Sequence, residues 1–373
     1  MPRSLQTDRW LFLATLALCL IGAVMVFSAS AVIAREQNGN AYSFLLRQLI
    51  WLAFGLGGMF WLMNLDYHKL RQPAVIFTGL FAALVLLVGV LLLDKAHATH
   101  RWIRIGPASI QPSEFAKLVV ILYLASFLEM RRKSRGARAA GETAINDWRQ
   151  TLLPALGPVL LLAGLVVIQP DLGTAVEIFL LALAMLFVAG LDGRYLLYAA
   201  AAALPAFHLL VVRVPYRYQR ILGFLNPEAD PQGRGFQLLQ SLIAVGSGGF
   251  TGVGLMESRQ KLFYLPEAHT DFIYAVLCEE LGFIGGVLVL ALFAVYGWRG
   301  LRAALAARDD FGRFLALGIT AMVVSQALIN LGVVLGMMPT KGIPLPFVSY
   351  GGSSLLAMLL ATGVLLNISQ QAD

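Results

Sequence analysis

The sequence predicts an all-α integral membrane protein of about ten transmembrane helices, and three observations carry that expectation. Hydrophobic residues make up 58% of the 373 residues and charged residues 13%, with a mean hydropathy of +0.75. A soluble domain is roughly half apolar and a quarter charged. The charges are also placed so that they leave apolar runs near the roughly 20 residues a helix needs to cross hydrocarbon. Finally, no stretch alternates in polarity over the ten or so residues of a transmembrane barrel strand.

The first apolar run, Trp10 to Ala34, follows Arg3 and Arg9 as a signal peptide would, but it exceeds a typical signal core and reads as a retained anchor. Further spans are expected at Leu49 to Asn64, Ala74 to Leu93, Glu114 to Met130, Leu152 to Ile168 and Thr174 to Ala189. The rest fall at Tyr195 to Val212, Phe272 to Trp298, Phe314 to Met338 and Ser349 to Ile368. No appended soluble domain, low-complexity tract or internal repeat is visible. The expectation is one polytopic domain over residues 1–373, with a large, partly membrane-embedded outer loop over 213–271 between helices 7 and 8.

Charge sets the orientation. The net charge is +7, but much of the excess sits beside helix ends, as in Arg131, Arg132, Lys133, Arg135 and Arg138. That is the positive-inside pattern and not a nucleic-acid surface. Lys69, Arg71, Arg194, Arg299, Arg302, Arg308 and Arg313 then fall in cytoplasmic loops, and both termini are cytoplasmic. The outer loops are Arg35 to Gln48, Asp94 to Ser113, Gln169 to Gly173, Arg213 to Asp271 and Pro339 to Val348. Cys19 and Cys278, the two cysteines, lie inside apolar runs, so neither a disulfide framework nor a four-ligand zinc site can form.

The loop before the eighth span runs about 60 residues, longer than ordinary connections. It holds helix-spaced Leu238, Leu239, Leu242, Ile243 and Val245, then the glycine-rich runs Gly246-Ser247-Gly248-Gly249 and Gly252-Val253-Gly254. Arg213, Arg217, Arg220, Arg234, Arg259 and Lys261 accumulate there, on the side that should be poor in cations. A pyrophosphate would balance them, because guanidinium forks and glycine amides both donate several hydrogen bonds to phosphate oxygens. A face in contact with lipid headgroups is the alternative. Arg213, Arg220, Ser247, Arg259 and Lys261 are the substrate-binding candidates from this stretch.

The loop ends in Leu265-Pro266-Glu267-Ala268-His269-Thr270-Asp271, which delivers a carboxylate to the outer mouth of the eighth span. Transfer of a group from a pyrophosphate to a hydroxyl requires a base for that hydroxyl and charge stabilisation for the departing pyrophosphate. Asp271 is the first choice for the base; the competing reading is an N-cap ahead of Phe272. Glu267 and His269 belong to the substrate shell, His269 as an orienting donor or an interfacial imidazole.

In the fourth span Glu114 and Lys117 share one helical face, as a structural ion pair or as part of the cavity beneath the loop. Glu279 and Glu280 lie about two turns beyond Asp271 and cannot all face one site, since helix residues advance about 100° each. The last outer loop, Pro339-Thr340-Lys341-Gly342-Ile343-Pro344-Leu345-Pro346, is too rich in proline for helix and too apolar for a free loop. Lys341 is its candidate phosphate ligand.

These motifs resemble the SEDS family (shape, elongation, division and sporulation), whose best-known members are FtsW and RodA. The resemblance runs nearly end to end, through Arg101-Trp102-Ile103 and Gln111-Pro112-Ser113-Glu114, Gln169 to Thr174, Leu265 to Asp271 with Glu279-Glu280, and Pro344 to Ser353. It implies ten transmembrane helices and peptidoglycan glycosyltransferase activity on lipid II in the bacterial inner membrane. It also implies a catalytic aspartate matching Asp271 and a Glu and Lys pair matching Glu114 and Lys117. Ser258-Arg259-Gln260-Lys261, Tyr264 to His269 and Pro339 to Gly342 look more like FtsW than RodA, whereas Gly342 to Pro346 leans the other way.

The expected partners are lipid II, the growing lipid-linked glycan, a cognate class B penicillin-binding protein, other divisome or elongasome membrane proteins and membrane lipids, with no nucleic acid. No dedicated metal site is expected. A divalent cation, magnesium or manganese, would be held mainly by the substrate pyrophosphate. The rival readings are a lipid II flippase, with Glu114, Lys117, Glu279 and Glu280 along a path, and a scaffold without catalysis.

Overall fold

The architecture was derived from a computed structural model, which describes residues 7–93, 101–105, 108–135 and 144–372. Nine helices among the described residues are long and apolar enough to cross a membrane. In order the helices are α1 (Arg9–Asn38), α2 (Ser43–Asn64), α3 (Pro73–Leu93), α4 (Pro112–Arg135), α5 (Leu153–Ile168) and α6 (Leu172–Ala189). They continue as α7 (Gly193–Phe207), α8 (Pro215–Leu225), α9 (Phe236–Ser247), α10 (Ile273–Ala306), α11 (Asp310–Val334) and α12 (Gly352–Gln371). A short antiparallel hairpin, β1 (Ile103–Ile105) and β2 (Ala108–Ile110), precedes α4 and pairs Ile103 with Ile110.

Each of the ten expected spans corresponds to a helix. The tenth, α4, has the length to span, but Glu114, Lys117 and Glu129 along it make it the most charged of the set. Several helices run beyond their apolar stretches because aspartates cap them: Asp8, Asp171, Asp192 and Asp309 each accept from an amide of the first turn of α1, α6, α7 and α11. Two boundaries fall short of expectation by more than a residue. The span expected to reach Met338 stops at Val334, because Gly336 turns left-handed and Met337 N closes back on Gly332 O at 2.7 Å. The span expected from Ser349 starts at Gly352; Ser349 Oγ instead accepts from Leu345 N (2.7 Å) and donates to Thr270 O (2.6 Å).

The helices do not pack equally. α12 is largely buried and lies along α2; α10 packs on α1 and α11; α4 packs on α3, α6 and α11. α7 buries none of its residues. The stretch from α8 to α10 is the least regular part of the chain and determines where Asp271 sits.

There α10 is broken. Gly282 adopts φ 66 and ψ −164, so the helical bonds across it are not made. The segment after α9 fills the gap like a wedge: Val253 N and Gly254 N donate to Glu279 O (3.0 Å) and Glu280 O (3.2 Å). In return Phe283 N and Ile284 N donate to Gly249 O (2.9 Å) and Phe250 O (3.2 Å). Main-chain groups freed by a broken helix need such partners, because an unpaired buried amide or carbonyl is costly. The approach is close enough to demand glycine. A Cβ on Gly252, whose φ is +83, would lie 2.0 Å from Glu280 O.

Candidate active site

Asp271 precedes Phe272, the N-cap position of α10, and no side chain caps that helix start. The N-cap reading of Asp271 is therefore not realised. Its carbonyl is fixed by Asn330 Nδ2 of α11 at 2.8 Å. Its carboxylate accepts no hydrogen bond from any described residue, and a Cβ on Gly342 would sit 3.0 Å from its Oδ2. The base candidate thus faces the 339–347 loop with its oxygens uncommitted.

Four further charged side chains act on it. Arg220 on α8 donates to Thr340 O (3.4 Å) and to the Tyr216 hydroxyl, and its guanidinium lies 4.5 Å from the centroid of that ring. Arg101 anchors to the Gln169 carbonyl at 3.0 Å and to the Pro170 carbonyl, where φ is +29. Asp171, the cap of α6, accepts from Thr174 Oγ1 (2.9 Å) and Gln111 Nε2 (3.1 Å). Glu267 holds Thr270 Oγ1 at 2.8 Å.

Burial pushes the Asp271 carboxyl up from 3.8 to about 7, the negative charges of Glu267 and Asp171 push the same way, and Arg220 and Arg101 oppose. Lys341, beside Gly342, has no hydrogen bond or ion pair with a described residue; burial lowers its ammonium, against the pull of Asp171 and Glu177. Asp271 is thus an uncommitted carboxylate acted on by Arg220 and Arg101 as well as by Glu267 and Asp171, with Lys341 one residue from the glycine that faces it, an arrangement that can hold an anion beside a base.

A second polar group is centred on Lys117. Lys117 reaches Glu114 (3.1 Å), Glu177 of α6 (3.3 Å) and Gln326 Oε1 of α11 (2.6 Å), all within the buried interior. The expected pair is therefore a three-helix cluster, with Glu177 supplying a second carboxylate.

The chain matches the family described as cell cycle protein, which unites FtsW, RodA and SpoVE, over residues 9–373. It belongs to this SEDS family. It is 46% identical over 366 residues to stage V sporulation protein E of Bacillus subtilis (strain 168), covering 97% of each chain. It is 45% identical over 370 residues to the probable peptidoglycan glycosyltransferase FtsW of Trichlorobacter lovleyi, covering 98% of this chain and 94% of the relative. Among solved structures, rod shape determining protein RodA of Thermus thermophilus aligns with a TM-score of 0.71 at 30% identity, covering 100% of this chain and 99% of that one. A chain from a study of how a peptidoglycan synthase complex coordinates polymerization and crosslinking aligns at 0.76 and 33%, covering 97% of each chain. As a member of the family the chain is a multi-pass membrane protein.

Other positions singled out in this SEDS chain lie elsewhere. Lys261 is buried and bonds Glu280 at 2.8 Å and Ser28 Oγ of α1 at 3.1 Å, so its ammonium is committed to tying the loop down. Glu279 turns the other way, accepting from Ser258 Oγ, Arg259 N (2.9 Å) and Gln260 N (3.4 Å). Arg259 contributes its amide there, and its side chain is exposed.

Ser247 closes α9 with a bond to Ala244 O at 2.9 Å, and the amides of Val253 and Gly254 serve α10. Arg213, exposed after α7, has no side-chain bond to the Asp271 group. His269 inserts between Phe44 (5.0 Å between centroids) and Tyr350 (5.7 Å), away from an orienting bond to the carboxylate, and burial lowers its pKa. Arg101, Gln326 and Asn330 enter the site without having been singled out for it. Arg101 stood in the resembling motif, whereas the two carboxamides carried no sequence signal beyond being polar in an apolar run.

Proposed function

We propose that this chain is a peptidoglycan glycosyltransferase that polymerises lipid II into β-1,4 glycan, with Asp271 as its base. The observation that carries the reading is the uncommitted Asp271 carboxylate facing Gly342 under the influence of Arg220 and Arg101. In the reaction the 4-hydroxyl of an incoming lipid II gives its proton to Asp271 as its oxygen attacks the anomeric carbon of the growing chain. The bond from that carbon to the polyprenyl pyrophosphate breaks with inversion, and the pyrophosphate leaves with the electron pair. Arg220, Arg101 and Lys341 offset the charge that develops on it.

A carboxyl near 7 suits a base working at neutral pH. A magnesium or manganese ion would travel with the pyrophosphate, bound by phosphate oxygens, since no three acidic, His or Cys side chains stand together among the described residues. The site faces the extracytoplasmic side with both termini cytoplasmic, in keeping with the distribution of Lys and Arg. The FtsW names among the relatives favour septal synthesis, and the aligned synthase complex favours a penicillin-binding protein as partner.

The test is reconstitution of the purified protein, alone and with its cognate transpeptidase, on labelled lipid II. Polymer from the native sequence that disappears with Asp271→Asn, at equal folding, upholds the assignment. Polymer that survives removes Asp271 as the base, and none from either protein turns the reading to a flippase or scaffold.

A further inference from the structure

Gln326 and Asn330 lie one turn apart on the same face of α11, and both are fully buried. Gln326 takes the Lys117 ammonium on its Oε1 (2.6 Å) and donates through Nε2 to Pro344 O (2.9 Å). Asn330 donates from one nitrogen to two carbonyls, Asp271 O (2.8 Å) and Ile343 O (2.8 Å). Two carbonyl acceptors fix which end of the Asn330 amide is the NH2 group, and its Oδ1 is left buried without a partner. A buried acceptor left unsatisfied is an expense that a purely structural asparagine would not need to carry. Further along, Tyr350 N donates to His269 O (3.0 Å) and Ser349 Oγ to Thr270 O (2.6 Å), tying the 269–271 segment to the residues after the 339–347 loop.

We infer that Asn330 is a positioning residue: its single NH2 group clamps the Asp271 backbone to the Ile343 carbonyl and so sets the carboxylate against Gly342. Gln326 is the second clamp on the same loop, and through it the Lys117 cluster acts on Asp271 although Lys117 makes no bond to that residue. The inference rests on Asp271 being the base. It adds how the base is aimed and why a charge cluster a helix away matters to it.

Two readouts test it, one of them independent of activity. In protein whose Cys19 and Cys278 are replaced by alanine, the pair Asp271→Cys and Gly342→Cys reports the distance between the 269–271 segment and the 339–347 loop by disulfide formation under mild oxidant. Crosslinking should be rapid with Asn330 present and fall at least about tenfold with Asn330→Leu, with Asn330→Ala run beside it should leucine prevent folding. Equal rates in the two backgrounds, or no crosslink with Asn330 intact, overturn the clamp.

In the protein with Asp271 intact, Asn330→Leu should lower kcat about 100-fold and leave KM within about threefold, the signature of a misplaced reacting group. Asn330→Ser, which keeps one donor, should recover part of the rate. A kcat that holds, or a loss confined to KM, refutes the positioning role. Should even the native protein make no polymer, the assignment of Asp271 as base falls, while the crosslinking result still decides the clamp.

Discussion

Lys117→Met removes an ammonium and keeps most of the side-chain volume, which isolates what the charge contributes. Glu114, Lys117 and Glu177 are 3%, 1% and 2% exposed. Without the ammonium, two carboxylates and the Gln326 oxygen face one another with no donor between them; Glu114 Oε2 and Glu177 Oε1 already lack partners among the described residues. Removing one partner of a buried ion pair costs about 3–5 kcal/mol, whereas replacing the whole group by neutral side chains of similar size is often nearly neutral.

Glu177→Gln leaves Lys117 paired with Glu114 and should cost about 1 kcal/mol. The triple variant Glu114→Gln, Lys117→Met, Glu177→Gln should recover most of the loss. The assay is unfolding in mixed detergent micelles, comparing midpoints and unfolding rates across the four proteins, because a chain of this size need not unfold in two states. If Lys117→Met is as stable as Glu177→Gln, or the triple variant is no better than Lys117→Met, the ammonium is not what neutralises this interior.

The acid limb of kcat/KM should report a group near pH 7, with activity rising as Asp271 loses its proton; a limb near pH 4 would mean the carboxyl is not raised. Arg220→Met should move that limb up and Glu267→Gln should move it down, in a pH titration of initial rates, because the two charges act on Asp271 with opposite sign. Stability should fall as pH rises from about 4 toward 7, since the folded state holds the Asp271 proton that the unfolded chain releases; unfolding midpoints across that range measure it. Gly252→Ala should destabilise by roughly 3 kcal/mol or more, because its Cβ would meet Glu280 O at 2.0 Å. Gly249→Ala, at φ +53 with open space around it, should cost only about 1–2 kcal/mol.

The spans were legible because charge-poor runs are decided by composition, and α4 was legible despite its charges because Glu114 and Lys117 fall on one face. Asp271 was legible as a carboxylate at a helix start and as the first candidate for a base, but the sequence could not separate that reading from a cap, because the two share that position and only the direction of the oxygens distinguishes them. Lys261 was misleading for a related reason. A cation in a phosphate-rich setting and a cation bonded to a buried Glu280 look alike until the loop is folded. Gln326 and Asn330 were invisible because their role comes from where 343–344 returns to α11. The wedge was invisible as well: it joins 249–254 to 279–284, and the glycine-rich runs carried no sign of that pairing.

The break at Gly282 gives the first turns of α10 a mechanical identity of their own. Ile273 to Leu281 is not continued by regular helical bonds into the rest of α10, so its position depends on what grips it from the sides. Those grips are the wedge carbonyls and amides, Glu279 on the 258–260 turn, Glu280 on Lys261 and Ser28, and Asn330 at the Asp271 carbonyl. Asp271 stands at the start of this segment, so each grip acts on the aim of the carboxylate without touching it. An unbroken α10 would fix Asp271 by the helix axis alone; the broken one hands that control to the α8 to α10 stretch, the part of the chain that also brings Arg220 to the site. If Asp271 is the base and Arg220 faces the leaving group, as proposed, their positioning shares one structural origin in the α8 to α10 stretch.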